Sequence, residues 1–368
     1  MADHLSTLPG PSTSLAVRTT RPRIGFLGVG RVGMARMQAV VRDALVREDL
    51  VDVVGICDPS PEAVDAAGEI VSAEVTGSLD ELLELGLDGL VIATPTAQHA
   101  VQAQQALLRG AAVFCQQPLA RNRRETERVI AAASEADRLL GVDVSCRVLD
   151  GALAMRKLVR SGELGEIYSI DLTFQRACGP NREWFYDPRK SGGGCVIDQG
   201  SHLVDFAGWV TGEWEFEDVR STLWHRGQIM GTPCEIVEDS AIVEWRQSEG
   251  AVVRLACSWN LASDWESVIE AKFYGTEGTV VLRNVDGSCL DFVCERFRGT
   301  ERERLGETTT AAESLYVHGG EDADIWGGSA VVNWARQLAA GSGFDPEIEQ
   351  ASAVAGLIDE IYRRPRED

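Results

Sequence analysis

In "SGGGCVIDQGSHLVDF" an acid, an imidazole and a second acid follow one another as Asp198, His202 and Asp205. Residues four apart lie on one face of a helix. A helix starting beyond Gly192–Gly194, which permit a turn that most residues could not make, therefore sets Asp198 beside His202, with Asp205 a turn further. A carboxylate next to an imidazole is a general-base arrangement, because the acid orients the ring and favours its protonated form. The same spacing also serves plain surface contacts, and a histidine among Leu203, Val204, Phe206 and Trp209 can be a satisfied core residue. A second stretch, "FCQQPLA", places two neutral amides, Gln116 and Gln117, just before Pro118. They can orient a ligand, but neither can release a proton near pH 7.

A third constellation reads Gly28-Val29-Gly30-Arg31-Val32-Gly33. A strand pattern, Ile24 to Leu27, precedes it and a helical pattern, Met34 to Val41, follows. Gly28 allows the tight turn, Gly30 the approach of a pyrophosphate and Gly33 close helix–strand packing, while the helix N-terminus offers its unpaired N–H groups to phosphate. The next strand, "VDVVGICD", ends in Asp58, where a Rossmann domain holds the adenosine ribose and repels a 2′-phosphate. Pro59 and Ser60 follow without a cation, which favours NAD over NADP. The alternative is a solvated turn aspartate.

These residues need elements to position them. Helices near Pro61–Glu69 and Ser78–Leu85, a strand "GLVIATP", a helix over Gln98–Arg109, a strand "AVFC", a helix over Arg123–Leu140 and a strand "VDVSC" predict a parallel, doubly wound sheet. "ATPTAQH" then falls at a strand's C-terminal end, where such sheets bind ligands. Thr94, Pro95 and Thr96 can run along the nicotinamide side of a dinucleotide, and His99 is either a site residue or a structural one. Beyond Cys146 a helix around Ala152–Ser161 leads into "YSIDLTFQR", and later alternating runs joined by glycine turns predict antiparallel strands. The predicted organisation is a disordered tail over residues 1–20, a dinucleotide-binding domain over 21–146 and a substrate-binding and oligomerisation domain over 147–368.

Bulk properties narrow the function. The formal charge of −22 argues against nucleic acid or an anionic membrane as the main partner. No apolar run reaches the roughly 18–20 residues of a membrane span. The nine cysteines form no CxxC pair and no Cys/His cluster at zinc spacing, so no metal site is expected, and reduced thiols in the cytoplasm are.

The ordered set of motifs, GxGxxG, "ATPTAQH", "QQPLA", "GELGEIYSI" and "SGGGCVIDQGSHLVD", resembles the glucose–fructose oxidoreductase/inositol dehydrogenase (Gfo/Idh/MocA) family from about Arg23 to Tyr362. The resemblance implies a Rossmann domain followed by an α/β domain with a large, open, mostly antiparallel sheet. Its face commonly forms a homodimer or homotetramer interface. It also implies reversible hydride transfer between a nicotinamide and a carbinol of a sugar, inositol or related polyol. Carried over by motif, Gly28, Gly30, Arg31, Val32, Gly33, Asp58, Thr94, Pro95, Thr96, His99 and Gln116 serve the cofactor, with Arg147 beside the nicotinamide or substrate. Asp198 and His202 match the family's substrate-side pair, His202 accepting the hydroxyl proton. Arg182 and Trp184 precede the triple glycine where relatives place substrate-lining residues, Trp184 being equally a candidate core anchor, and Tyr168 and Tyr186 are candidate substrate-side residues and additional proton donors.

One motif departs from the family. Glu-Lys-Pro, whose lysine bonds the reacting oxygen, is here Gln116-Gln117-Pro118. Cation and anion are lost together, so local net charge is kept. A charge-assisted hydrogen bond is worth roughly 1.5–3 kcal/mol and a neutral one about 0.5–1.5, so Gln117 stabilises a developing alkoxide less and proton transfer falls to His202. The departure leaves two other readings open: a redox-neutral reaction through transient oxidation, and a non-catalytic ligand-responsive protein. The loop "YVHGGEDADIW" with His318 is expected to be an exposed acidic loop.

Overall fold

The computed structural model describes residues 21–46, 50–231, 235–262, 264–308 and 328–363. The predicted tail and the loop carrying His318 lie outside them. The first half alternates as the sequence predicts: β1 (Arg23–Leu27), α1 (Arg31–Val46), β2 (Asp52–Cys57), α2 (Pro61–Gly68), β3 (Glu74–Val75), α3 (Leu79–Glu84), β4 (Gly89–Ile92), α4 (Thr96–Leu108), β5 (Ala112–Cys115), α5 (Arg123–Ala136) and β6 (Leu140–Val142). The strands form one parallel sheet in the order β3-β2-β1-β4-β5-β6. Every residue of β4 and β5 is buried, as expected for strands covered by helices on both faces. Ser60, Ser78 and Asn122 cap α2, α3 and α5 through their side-chain oxygens. The predicted helix to Leu140 stops short at Ala136. Asp137 turns left-handed at φ 47° and its N–H closes on the last carbonyls, which frees Leu140 to enter β6. "VDVSC" accordingly contributes only Val142 to that strand, and Ser145–Val148 form a 3₁₀ turn.

The second half comprises α6 (Asp150–Arg160), β7 (Ile167–Arg176), α7 (Pro188–Ser191), a π turn (Val196–Gly200), α8 (Ser201–Thr211), β8 (Phe216–His225), β9 (Gln228–Ile229), β10 (Ser240–Gln247), β11 (Val252–Ser258), β12 (Ser267–Gly275), β13 (Gly278–Asn284), β14 (Phe292–Arg298), β15 (Glu301–Thr308), α9 (Ser329–Ala339) and α10 (Gln350–Arg363). Its nine strands run in the order β15-β14-β13-β12-β7-β11-β10-β8-β9, antiparallel except where β7 lies parallel to β11. Strict alternation along β10 buries Ala241, Val243 and Trp245 and turns Ile242, Glu244 and Arg246 outward. The buried face packs against α6, α8 and α10 in one apolar core. Helix α8 is buried all round, in keeping with its apolar sequence.

The chain does not stay in its second domain after residue 147. Val331, Trp334 and Leu338 of α9 join Ile24, Phe26, Val91 and Phe114 in the core of the first. Gly89 and Gly141 make room for the indole, since a Cβ at either would come within 2.7–2.8 Å of Trp334. This return was illegible in the sequence, because an amphipathic helix does not say which sheet it covers. Among the described residues no helix is long and apolar enough to cross a membrane. The described cysteines are free thiols, all buried but Cys178.

Candidate active site

The glycine loop is shaped by its neighbours. Gly28 has φ +86°, its N–H donates to the Cys57 carbonyl at 2.8 Å, and a Cβ there would lie 2.7 Å from the Ala93 oxygen. A Cβ at Gly33 would collide with the Gly28 carbonyl, so that glycine serves packing. Gly30 faces open space, with nothing within 4 Å of a Cβ built on it. That gap lies where a pyrophosphate approaches the N-terminus of α1. Asp58 is fixed beside it: one carboxylate oxygen accepts from the Val29 N–H and the other from Ser60 N–H, both at 2.8 Å.

Two further loops complete the first domain's wall. His99 is buried, with Nε2 2.6 Å from the Thr94 carbonyl and Nδ1 2.9 Å from the Pro118 carbonyl. Burial pushes its pKa down, against two carbonyls that favour the protonated ring. It ties the "ATPT" loop to the "QQP" loop, a structural duty at the rim of the cleft. The Thr94 hydroxyl donates to Gln102 Oε1 at 2.6 Å. The Gln116 N–H extends the sheet to the Ile92 carbonyl at 2.9 Å, and the Gln117–Pro118 peptide is cis. Gln116 Oε1 is buried without a hydrogen-bond partner among the described residues. An orphan acceptor of this kind is costly unless a ligand donates to it.

The second domain's wall rests on the triple glycine. Gly192 takes φ +91°, but the next two glycines answer to packing. A Cβ on Gly193 would collide with the Tyr362 ring, and one on Gly194 with the Glu238 backbone carbonyl. The buried Glu238 carboxylate accepts from the N–H groups of Gly194 at 3.0 Å and Val196 at 2.9 Å, and from the Tyr362 hydroxyl at 2.8 Å. That hydroxyl in turn accepts from the Ile197 N–H at 3.2 Å. Glu238 and Tyr362 thus satisfy the orphan donors that open the segment carrying Asp198 and His202. Burial raises the Glu238 pKa, while the backbone donors and Tyr362 pull it back down.

Asp198 sits in the π turn and His202 in the first turn of α8. Where the backbone bonds i to i+5, positions four apart no longer stack as they do in an α-helix. Both still line one cleft of about 680 Å³ with Gly28, Gly30, Asp58 and Gln117. Asp198 Oδ2 accepts from Trp259 Nε1 at 3.0 Å. Burial raises the Asp198 pKa to about 6, opposed by this hydrogen bond and by the charges of Arg176 and Arg31. Burial lowers the His202 pKa, so the ring is neutral at pH 7. The carboxylates that pull it back up are Asp143 and Asp205. Asp143 is buried, paired with Arg36 at 2.5 Å and hydrogen-bonded to Ser145.

Of the remaining predicted residues, Arg31, Val32, Pro95, Thr96, Gln116, Arg182 and Trp184 line the cleft. Trp184 stacks on Phe185 at 3.8 Å between centroids. Three do not fit their expected places. Arg147 points away, holding Asp205 through two hydrogen bonds of 2.8 and 2.6 Å and lining a separate cavity of about 360 Å³. Tyr168 is 56% exposed near the start of β7, eight residues and about 26 Å from that strand's cleft end. The Tyr186 hydroxyl is engaged, donating to the Pro180 carbonyl at 2.9 Å, and its ring lies edge-on to Trp259 outside the cleft. Sequence reasoning missed Arg36, Asp143, Arg176, Glu238, Trp259 and Tyr362. Each comes from a distant segment, and only the paired "ED" at Glu238-Asp239, acids just before a buried strand, carried a local signal. Among the described residues no cluster of His, Cys, Asp or Glu could hold a metal ion.

Comparison with known proteins agrees with this fold. Residues 22–144 match the model of the oxidoreductase family with an NAD-binding Rossmann fold, and residues 152–281 that of the GFO/IDH/MocA C-terminal domain. The rhizopine catabolism protein MocA of Rhizobium meliloti is 28% identical over 310 residues, 80% of this chain and 93% of that protein. The D-glucoside 3-dehydrogenase of Escherichia coli (strain K12) is 27% identical over 73% of this chain and 78% of its own. The solved levoglucosan dehydrogenase in complex with NADH and levoglucosan superposes with a TM-score of 0.75 at 21% identity, covering 93% of this chain and 97% of that one. With both family domains matched in order on the fold described above, the chain belongs to the Gfo/Idh/MocA family of NAD-binding oxidoreductases.

Proposed function

We propose that the protein is an NAD-dependent dehydrogenase acting on a carbinol of a sugar, inositol or related cyclic polyol, with His202 as the acid–base group. The observation that carries this reading is the placement of the Gly28–Gly30 cradle, Gln117, Asp198 and His202 on the walls of one cleft. The residues present fit the dinucleotide. Gly30 leaves room for pyrophosphate, Asp58 is held where the ribose hydroxyls would donate to it, and Gln116 Oε1 offers an acceptor to the nicotinamide carboxamide. A carboxylate at Asp58 followed by Pro59 and Ser60 favours NAD over NADP.

Bound NAD supplies the hydride acceptor. The neutral imidazole of His202 takes the hydroxyl proton, which its lowered pKa permits at pH 7. Imidazolium formation is then favoured by Asp143 and Asp205. Asp198, held by Trp259, accepts a hydrogen bond from the substrate, and Gln117 orients the reacting oxygen without exchanging a proton. The levoglucosan and glucoside dehydrogenases among its relatives support a carbohydrate substrate. The outward face of the nine-stranded sheet, with Ile242 58% exposed, is the surface proposed for a homodimer or homotetramer.

The test is turnover of purified protein with NAD or NADH and a panel of sugars, inositols and their keto forms, in wild type and His202→Ala. Tight NAD binding without any absorbance change near ~340 nm across the panel would sink the reading. Substrate consumed while one NAD per site is retained unexchanged would replace it with the redox-neutral reaction that Gln117 leaves open.

A further inference from the structure

The cleft carries a charge that the dehydrogenase reading does not use. Ile170, Leu172 and Phe174 of β7 point into the helix-covered core, and Arg176 continues the same face at the strand's end, where it lines the cleft. Its side chain is nine-tenths buried, at 10% exposure. The Nε is buried and makes no hydrogen bond among the described residues. Among the described residues it forms one ion pair, with Glu266 at 3.5 Å, which is long, and that carboxylate is half in water at 48% exposure. Such a pair returns little of the cost of burying a guanidinium.

The surroundings sharpen this. The chain as a whole carries −22, a field that repels anions. Yet the charged residues lining the cleft are Arg31, Arg36, Arg176 and Arg182 against Asp58 and Asp198. Arg31 belongs to the glycine loop, and Arg36 is held by Asp143. Arg176 stands instead on the substrate side, its charge reaching the Asp198 carboxyl. Arg182 lies on the following loop, exposed at the cleft's edge. A guanidinium is a planar fork that fits two oxygens of a carboxylate or phosphate, and that of Arg176 keeps a hydrogen-bond donor unused among the described residues.

We propose that Arg176 is a specificity-determining residue that binds an anionic substituent, carboxylate or phosphate, so that the substrate is an acidic sugar rather than a neutral one. This rests on the dehydrogenase reading for the place of the substrate, and the two can fail separately. Tryptophan fluorescence and calorimetry on NAD-loaded protein would compare D-glucuronate, D-glucose 6-phosphate and D-glucose, in wild type, Arg176→Gln and Arg176→Lys. The expected result is that one acid binds wild type at least tenfold more tightly than glucose, and the better acid identifies the anion. Arg176→Gln should remove that preference, the ratio of acid to glucose affinity falling on the order of ten- to a hundredfold. Arg176→Lys, which keeps the charge but not the fork, should fall between. If neither acid outbinds glucose in wild type, or the preference survives in Arg176→Gln, the proposal is overturned. Saturable NAD binding in each variant shows that the fold is intact, and failure of wild type to bind NAD would overturn the dehydrogenase reading itself.

Discussion

The hydrogen bond from Trp259 Nε1 to Asp198 Oδ2 is the most direct handle on the site's chemistry. Burial raises the carboxyl to about 6, and this donor is the first of the influences that hold it down. Trp259→Phe keeps an aromatic ring against Tyr186 and Phe185 while deleting the donor. A hydrogen bond to a charged group is worth roughly 1.5–3 kcal/mol, and one pKa unit corresponds to about 1.4 kcal/mol. The Asp198 midpoint should therefore rise by about one to two units, with the lower figure expected if water replaces the indole. At pH 7 the ionised fraction would fall from roughly 90% to about half or less. The assay is a ¹³C carboxyl titration of NAD-loaded protein, the Asp198 resonance being assigned by its loss in Asp198→Asn. Once a substrate is in hand, the acid limb of kcat/KM should move by the same amount. The smaller ring also opens space in the core and lowers stability, but that does not move a carboxyl titration upward. A midpoint within about 0.3 units of wild type, or below it, would refute the reasoning.

Other consequences are as direct. Asp198 is protonated more readily in the folded chain than its ordinary value of 3.8 allows, so its burial costs nothing below pH ~4, and the cost is complete above pH ~7. Asp198→Asn should accordingly stabilise the protein by up to about 3 kcal/mol at pH 8, read as a gain of several degrees in Tm that vanishes near pH 4, while activity is lost. Gly30→Ala meets nothing within 4 Å and should keep the wild-type Tm while losing NAD affinity in a fluorescence titration; unchanged affinity would remove the cradle assignment. Gly194→Ala, by contrast, drives a Cβ into the Glu238 carbonyl and should fail to reach a cooperative thermal transition. Tyr362→Phe deletes the hydroxyl that serves both Ile197 and Glu238 and should cost about 1–3 kcal/mol in urea unfolding. A loss within error would show that the pair does not hold the π turn.

Much of this was local and therefore legible. The strand–GxGxxG–helix unit, the acid ending β2 and the period-two runs of the second domain each depend on near neighbours in the chain. So does the choice of Asp198 and His202 as candidate site residues. What residues near in sequence cannot specify is which distant side chain arrives opposite them. The spacing of Asp198 and His202 suggested a pair, but no local pattern announced that Asp143, from the first domain, and Asp205 also act on the imidazole. The triple glycine read as a turn that most residues could not make. Two of its members are glycine because Glu238 and Tyr362 occupy the space a side chain would need. Arg147 looked like a neighbour of the nicotinamide or substrate from its position after the last Rossmann strand, yet Asp205 holds it in a separate cavity. The amides of "FCQQPLA" announced from sequence alone that no proton would come from that loop. Only the tertiary structure decided what surrounds them: a neutral imidazole, a buried acid held by an indole, and an arginine at the end of β7. Burial and convergence set the pKa values and the charge of the cleft, and both arise only when residues of both domains line it.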